Sequence, residues 1–249
     1  GVFLENGTGS ILITPQGIAG EFEGDTGLTQ ALMDEIGGGF TASLKFQINN
    51  LPVAVNERFS FIAADGSTVT KTLKLKKGPF LRAEAIDATL TIGDFALIGD
   101  FAFEKGQVRV TPTAAPVEAL SIAANNVRIA VSDDLPEGLV NATGAIVFIN
   151  TGPNPGIVAQ LAGRVAAGDT SGGGTGASAK IGGGINTTGA AVDMTLVVGD
   201  DTISLKLSDA PFSFVLLDIA IDFGDFVEFR GNLSADGDGF SGSDIDLFI

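Results

Sequence analysis

The 249-residue chain contains no cysteine, histidine, tyrosine or tryptophan. Without thiols it can form no disulfide bond and offers no thiolate nucleophile. Without imidazoles it lacks the most frequent general base of enzymes and a frequent metal ligand. Neither a Gly-x-Ser-x-Gly elbow nor a Gly-x-x-x-x-Gly-Lys-Ser/Thr phosphate loop occurs. These absences predict a protein that is not an enzyme, with no catalytic residues and no cofactor besides the calcium considered below.

Basic residues are also scarce, since 14 Lys and Arg face 30 Asp and Glu and give a formal net charge of −16. This charge repels phosphate backbones, so nucleic acid is not an expected partner. No run of 18 or more apolar residues exists, which predicts no membrane-spanning segment. The start at Gly1 shows no initiator Met and no signal-peptide layout, and we therefore expect a mature or excerpted segment.

Helical periodicity is rare in the chain, with one short exception from Leu28 to Ile36. Elsewhere Val, Ile, Phe and Thr alternate with small or polar residues between Gly, Pro, Asn and Asp, which is the pattern of half-buried strands. The sequence predicts an all-β fold, built as an antiparallel meander of hairpins. The expected hairpins span 10–23, 41–61 and 80–110, with second-half counterparts at 145–165, 177–198 and 212–234, and with loops at 37–39 and 169–176.

The same module occurs twice. The stretch from Asn6 to Ile13 returns from Asn141 to Phe148, with Asn, Thr, Gly and Ile in matching places. Further matches pair Ile48-Asn49 with Ile185-Asn186, Pro79-Phe80 with Pro211-Phe212, and Gly93-Asp94-Phe95 with Gly224-Asp225-Phe226. We predict two homologous β-sandwich or β-solenoid-like modules, residues 1–131 and 132–249. Four phenylalanines are expected to fill the space between their layers, namely Phe101, Phe103, Phe223 and Phe229.

The two ends of the chain complement each other. An alternating run, Asn126 to Val131, precedes the second copy of the Asn-x-Thr-Gly segment, whereas only five residues precede the first copy. The missing run stands at the far end, from Asp244 to Ile249. Joining residue 249 to residue 1 would regenerate the same strand-turn-strand unit. The modules are therefore predicted to be circularly continuous, with copies of the same chain as partners in a longer array.

Three segments carry a resemblance to known proteins: Pro15 to Ile18, Ile185 to Val192, and Gly93 to Glu104. They resemble tandem β-rich repeat modules of giant secreted bacterial filament, matrix or adhesin-like proteins. The resemblance implies an extracellular or cell-surface location and a structural role in a filament, stalk or surface array. An adhesin or carbohydrate-binding module is the alternative, and an enzyme of the β-solenoid glycan-lyase or hydrolase type is the third hypothesis.

Four carboxylates lie close together near the end of the chain, and glycines separate several of them. They are Asp236, Asp238, Asp244 and Asp246. Such a segment can offer the six to eight oxygen ligands that Ca²⁺ takes. It departs from an EF-hand, because Phe240 occupies the third ligand position and Leu247 replaces the bidentate Glu. These four residues are our candidate calcium ligands, and a solvated acidic turn is the alternative.

Four Asn-x-Ser/Thr sequences could accept a glycan, at Asn6, Asn141, Asn186 and Asn232. Asn6 and Asn141 occupy equivalent places in the two halves. Asn is also selected for turn geometry, because Asn followed by Gly is a favoured hairpin turn and Thr is common at the start of strands. We favour turn geometry over glycosylation as the explanation.

Overall fold

The computed structural model describes residues 2–62, 65–92, 95–130, 138–168, 175–223, 228–237 and 239–248. Within these ranges the chain forms sixteen strands and one short helix. The elements of the first half are β1 (Val2–Thr14), β2 (Gly17–Leu28), α1 (Gln30–Ile36), β3 (Gly38–Asn49), β4 (Val55–Ile62), β5 (Thr68–Leu75), β6 (Phe80–Ile92), β7 (Phe95–Val108) and β8 (Val117–Ala130). Those of the second half are β9 (Leu139–Ile149), β10 (Gly156–Gly168), β11 (Thr175–Asn186), β12 (Val192–Val198), β13 (Asp201–Leu207), β14 (Phe212–Phe223), β15 (Glu228–Asp236) and β16 (Gly239–Phe248).

Twelve of these strands form one antiparallel sheet. Their order is β1-β2-β3-β6-β7-β8-β9-β10-β11-β14-β15-β16, and the pairs β4–β5 and β12–β13 form two separate hairpins. The predicted all-β antiparallel meander is therefore confirmed. The large sheet is open, with β1 at one edge and β16 at the other.

Both halves have the same strand order, with a hairpin inserted between the third and the sixth strand. Ile11 and Ile146 lie in the corresponding strands β1 and β9, and Ile48 and Ile185 lie in β3 and β11. Phe226 lies outside the described residues. Because β8 pairs with β9, the two halves share one continuous sheet. The boundary between residues 131 and 132 also lies outside the described residues, and the division into modules stays a prediction.

Two of the expected hairpins are confirmed in each half, as β1–β2 and β6–β7 and as β9–β10 and β14–β15. The hairpins expected at 41–61 and 177–198 are wrong, because β3 pairs with β2 and β6, and β11 pairs with β10 and β14. The glycines Gly38 and Gly39, expected in a loop, begin β3. Of the second expected loop, residues 169–174 lie outside the described residues, and 175–176 begin β11.

A buried asparagine explains why the chain leaves the sheet after β3. Asn49 is fully buried, and its Nδ2 donates to the carbonyl oxygens of Val53 (2.9 Å) and Lys76 (2.7 Å). Its Oδ1 accepts from the Leu51 N–H at 2.9 Å. The Asn49 side chain therefore holds both the segment that leads from β3 to β4 and the segment that follows β5. The amide satisfies backbone groups that the interrupted sheet pairing would leave without partners.

The second half repeats this arrangement. Asn186 Nδ2 donates to Ala190 O (2.8 Å) and Ser208 O (2.5 Å), and its Oδ1 accepts from the Thr188 N–H (3.1 Å). The acceptor four residues ahead and the donor two residues ahead are the same as for Asn49. The Ile-Asn match in the sequence therefore marks a structural equivalence, with the asparagine as the residue that inserts each hairpin.

We expect Asn49→Ala to lower the free energy of unfolding by about 2–3 kcal/mol, because it leaves two carbonyls and one N–H without partners. Asn186→Ala should cost a similar amount for the same reason. Asn56→Ala, at an exposed position of β4, is the control and should stay within about 0.5 kcal/mol of the parent. Urea unfolding followed by circular dichroism measures all three. Equal stabilities for Asn49→Ala and Asn56→Ala would contradict this role.

Bulges recur at matching places in the two halves. The residues at these bulges have φ between 50° and 52° and are Asn6, Asp87 and Asn126 in the first half, and Asn141, Asp218 and Asp244 in the second. The register of strand pairing shifts next to each of these residues. Among residues other than glycine, Asn and Asp are enriched in this left-handed region. The two Asn-x-Thr-Gly segments therefore lie at bulges inside β1 and β9, not at hairpin turns.

The buried core lies between one face of the sheet and the two hairpins. In the first half, Leu73 and Leu75 of β5 pack with Ala19 and Phe80 of the sheet. In the second half, Met194 and Leu205 belong to a larger cluster that includes Val147 and Val158. The second layer of each half therefore consists of a single hairpin.

The opposite side of the sheet presents a surface that we call the apolar face. Cross-strand pairing aligns its middle row over nine strands as Phe22, Phe46, Ala83, Phe103, Ile122, Ile146, Ala159, Ile185 and Phe212. Phe103, expected between two layers, is 47% exposed, so that expectation is wrong. Phe101 lies on the same face in a neighbouring row, half-buried. Phe229 is half-buried, and the side chain of Phe223 is outside the description.

Candidate functional site

Two unpaired sheet edges are the first candidate for function. No described strand pairs with the outer side of β1 or of β16. All ten residues of β16 are exposed. An edge strand carries a row of N–H and C=O groups without sheet partners, which is a template for pairing with another strand.

The centre of the sheet shows how such edges can pair. The strands β8 and β16 are equivalent in the two halves. Each is the last sheet strand of its half, and each has a positive-φ residue at the matching position, Asn126 in β8 and Asp244 in β16. The strands β9 and β1 correspond in the same way through Asn141 and Asn6. The contact between β8 and β9 therefore joins the same two kinds of strand that stand at the outer edges.

The second candidate is a polar cleft on the hairpin side of the sheet, with a volume of about 580 Å³. Arg82 lies in its wall, 9% exposed. Its Nη2 donates to Glu84 Oε1 (2.6 Å) and to the carbonyl oxygen of Val197 (2.6 Å), and its Nη1 donates to Glu104 Oε2 (3.0 Å). Val197 belongs to β12, so the guanidinium ties the second-half hairpin to the first half of the sheet.

Electrostatics hold the Arg82 guanidinium in its charged form. Burial lowers the pKa of Arg82, but hydrogen bonds and charge attraction from Glu84 and Glu104 outweigh it, and the net pKa lies above the ordinary value. Glu84 Oε1 also accepts from the Gly199 N–H (2.8 Å), and Lys76 Nζ donates to Glu104 Oε1 (2.5 Å). Both oxygens of Glu104 and the Oε1 of Glu84 therefore accept hydrogen bonds from groups of the protein itself.

A groove with converging carboxylates and a basic residue is what the glycan-cleaving alternative requires, and this cleft has that composition. A catalytic carboxylate must reach the substrate, however, as an acid, base or nucleophile. Here Glu84 and Glu104 face the guanidinium and the ammonium groups. The arrangement is that of a structural clamp, and we assign no catalytic residue. Ser121 Oγ, which also lines the cleft, is the one buried side-chain oxygen without a hydrogen-bond partner among the described residues.

Comparison with known proteins identifies no relative, since no family model, no curated protein and no solved structure matches the chain. No helix of the described part of the chain is long and apolar enough to cross a membrane. Function must therefore be inferred from the geometry of this protein itself.

The structure separates the candidate calcium ligands. Asp236 ends β15 next to the turn, whereas Asp244 lies five residues beyond Gly239, the partner of Asp236, or about 16 Å along the strand. The side chain of Asp244 accepts from Asn232 Nδ2 at 3.0 Å. Asp246 lies opposite Arg230, and Asp238 is outside the described residues. Within the described ranges no group of three or more acidic residues is placed to hold a metal ion, and calcium stays an untested prediction.

The four candidate glycosylation sites have different environments. Asn6 and Asn141 adopt positive φ at bulges inside β1 and β9, so the expected hairpin turns are wrong, and the left-handed backbone explains why Asn occurs there. Asn186 is buried beneath the hairpin, where its amide is bonded on both sides. Asn232 donates to Asp244 and accepts from the Asp218 N–H.

Proposed function

We propose that this protein is a non-enzymatic structural module that extends a β-sheet edge to edge with further copies, within an extracellular filament, stalk or surface array. The observation that supports the proposal is the pairing of β8 with β9. That pairing unites two units, each with six strands in the sheet, through the strands that correspond to β16 and β1. The same contact repeated between copies would lengthen the sheet without a new type of interface.

The register of the internal contact gives the register of the proposed one. Between β8 and β9, Ile122 pairs with Ile146, Ala123 with Ala145, and Ala124 with Gly144. Counted from the matched positive-φ residues, the corresponding pairs are Phe240 with Ile11, Ser241 with Ser10, and Gly242 with Gly9 of the next copy. Register matters because a slip of one residue would exchange the two faces of the added strand.

The composition of the edge strands supports edge pairing. Proteins that avoid edge-to-edge association place Lys or Pro on their edge strands. Neither β1 nor β16 contains a Lys or a Pro. In the proposed contact, small residues meet in two of the three pairs, Ser10 with Ser241 and Gly9 with Gly242, and the third pair joins two apolar side chains, Ile11 and Phe240.

Assembly should increase with ionic strength. Each copy carries a net charge of −16, and mutual repulsion opposes contact at low salt. At about 0.15 M salt the Debye length falls to about 8 Å, which screens much of that repulsion. Sedimentation velocity of the full chain, over a range of concentrations at low and physiological salt, tests this. We expect a concentration-dependent series of larger species that is more populated at higher salt.

Two results of this experiment would count against the proposal. A single monomeric species at every concentration and salt would remove the case for self-assembly. Assembly that disappears as salt rises would indicate contacts between opposite charges instead of backbone pairing.

A further inference from the structure

The two faces of the sheet differ in charge as well as in polarity. Along β3 and β6 the charged residues Lys45, Arg82 and Glu84 point to the hairpin side, while Phe46 and Ala83 point to the apolar face, because successive residues of a strand alternate between faces. The rows on either side of the middle row are also apolar, with Lys105 as their one charged residue. A chain with 44 charged side chains thus leaves one broad surface almost uncharged.

No described element of the chain covers this surface. Both hairpins pack on the other side, with Leu73 and Leu205 in their cores. Phe22, Phe46 and Phe212 are 44%, 40% and 43% exposed. Monomeric proteins rarely leave contiguous apolar patches of more than a few hundred Å² in contact with water.

The dimensions of the face indicate what fits it. Nine strands that each occupy about 4.8 Å cover a width of about 43 Å, and three rows that each occupy about 6.8 Å cover a height of about 20 Å. Two such faces in contact would bury about 1,700 Å², which lies in the range of stable protein interfaces. A small apolar ligand would occupy only a part of the face.

The shape of the apolar face also favours packing against a second sheet. A depression of about 600 Å³ lies around Ala124, Gly144 and Gly183, which provide little or no side chain, and Leu161 of the same row also lines it. Packed sheets interdigitate side chains across a gap of about 10 Å. The aromatic rings on one copy can fill the depression of the other, and both elements are present on every copy.

We propose that the apolar face docks against the same face of a second copy, so that two sheets pack face to face with their hairpins outermost. Edge pairing and face pairing use different surfaces. The two together give a two-layered ribbon whose apolar interior is continuous and whose charged sides face water. The face contact does not depend on the edge contact, and either can be tested in the absence of the other.

The test is the substitution Phe103→Lys in the full chain, with Phe61→Lys as the matched control. Phe103 stands next to the centre of the middle row, whereas Phe61 is 50% exposed in β4 on the hairpin side. We expect the parent chain and Phe61→Lys to form dimers or two-layered assemblies, and Phe103→Lys to halve the mass per unit length. Light scattering gives the mass, and small-angle scattering gives the cross-section.

The remaining outcomes are distinguishable from one another. Edge growth lengthens a particle without thickening it, so single-layered ribbons from the parent chain would overturn face pairing while supporting the edge proposal. Retention of the two-layered form by Phe103→Lys would overturn it as well. Binding of the monomeric parent, but not of Phe103→Lys, to phosphatidylcholine vesicles would overturn it in favour of a lipid surface.

Discussion

A chain carrying both Ser10→Cys and Ser241→Cys should form a ladder of disulfide-linked multimers when it is oxidised. The parent has no cysteine, so every crosslink reports the engineered pair. Residues directly opposite each other on paired strands have Cβ atoms about 4.5–5.5 Å apart, close to the range that a disulfide bridges. Eleven strand spacings, or about 53 Å, separate the two edges of one sheet, so any crosslink joins two copies.

The register is tested by moving one cysteine. Thr8 lies two residues from Ser10 on the same face of β1, and its diagonal distance to residue 241 of the next copy would be about 7–8 Å, too long for a disulfide. Thr8→Cys with Ser241→Cys should therefore crosslink far less, and each single variant should stop at dimers. Non-reducing gel electrophoresis measures the ladders. Equal ladders from the two double variants would refute the register, and no ladder from either would refute the edge contact.

Arg82→Met should lower the free energy of unfolding by about 3–5 kcal/mol, because removal of one partner leaves buried carboxylates without compensation. Glu84 is 6% exposed and would keep only the Gly199 N–H, while Glu104 would keep Lys76. The contact from Arg82 to Val197 would be lost too. Chemical denaturation at neutral pH measures the change.

Two further variants separate this cause from simple loss of packing. Arg58→Met removes an arginine from an exposed position of β4 and should change stability by no more than about 0.5 kcal/mol. Adding Glu84→Gln to Arg82→Met should recover part of the loss, since the orphaned charge is gone. If the double variant is as unstable as Arg82→Met alone, the buried charge is not the cause.

Much of the local structure could be predicted from the sequence. Alternation between apolar and polar residues indicated strands, and the Pro-x-Gly segment indicated the turn after Thr14, because these features depend on backbone sterics within a few residues. The short helix within residues 28–36 was found for the same reason. The matching Ile-Asn pairs indicated equivalence of the halves, although the buried role of Asn49 and Asn186 was not visible from residue identity.

The candidate site was less predictable. The cluster of aspartates near the end of the chain was a natural choice, but strand geometry spreads Asp236 and Asp244 along β15 and β16. The clamp of Arg82 was missed, because it joins residues 115 positions apart, Arg82 and Val197. One signal was present, since Arg82 and Glu84 are charged residues that alternate with alanines inside a strand pattern.

The sequence by itself determined the strands, their antiparallel succession and the repetition of the unit, because alternation, turn residues and duplicated motifs are local properties of the chain. Only the tertiary structure decided that β3 pairs with β6 and not with β4, that the two halves share one sheet, and that no described element covers one face of that sheet. The hairpin expected after β3 failed for this reason, since Asn49 diverts the chain onto the sheet face through bonds to residues near and far. Strand partners and the burial of each face depend on which distant segments meet, and hydrophobic alternation alone is equally compatible with a face buried against another layer and with one left open.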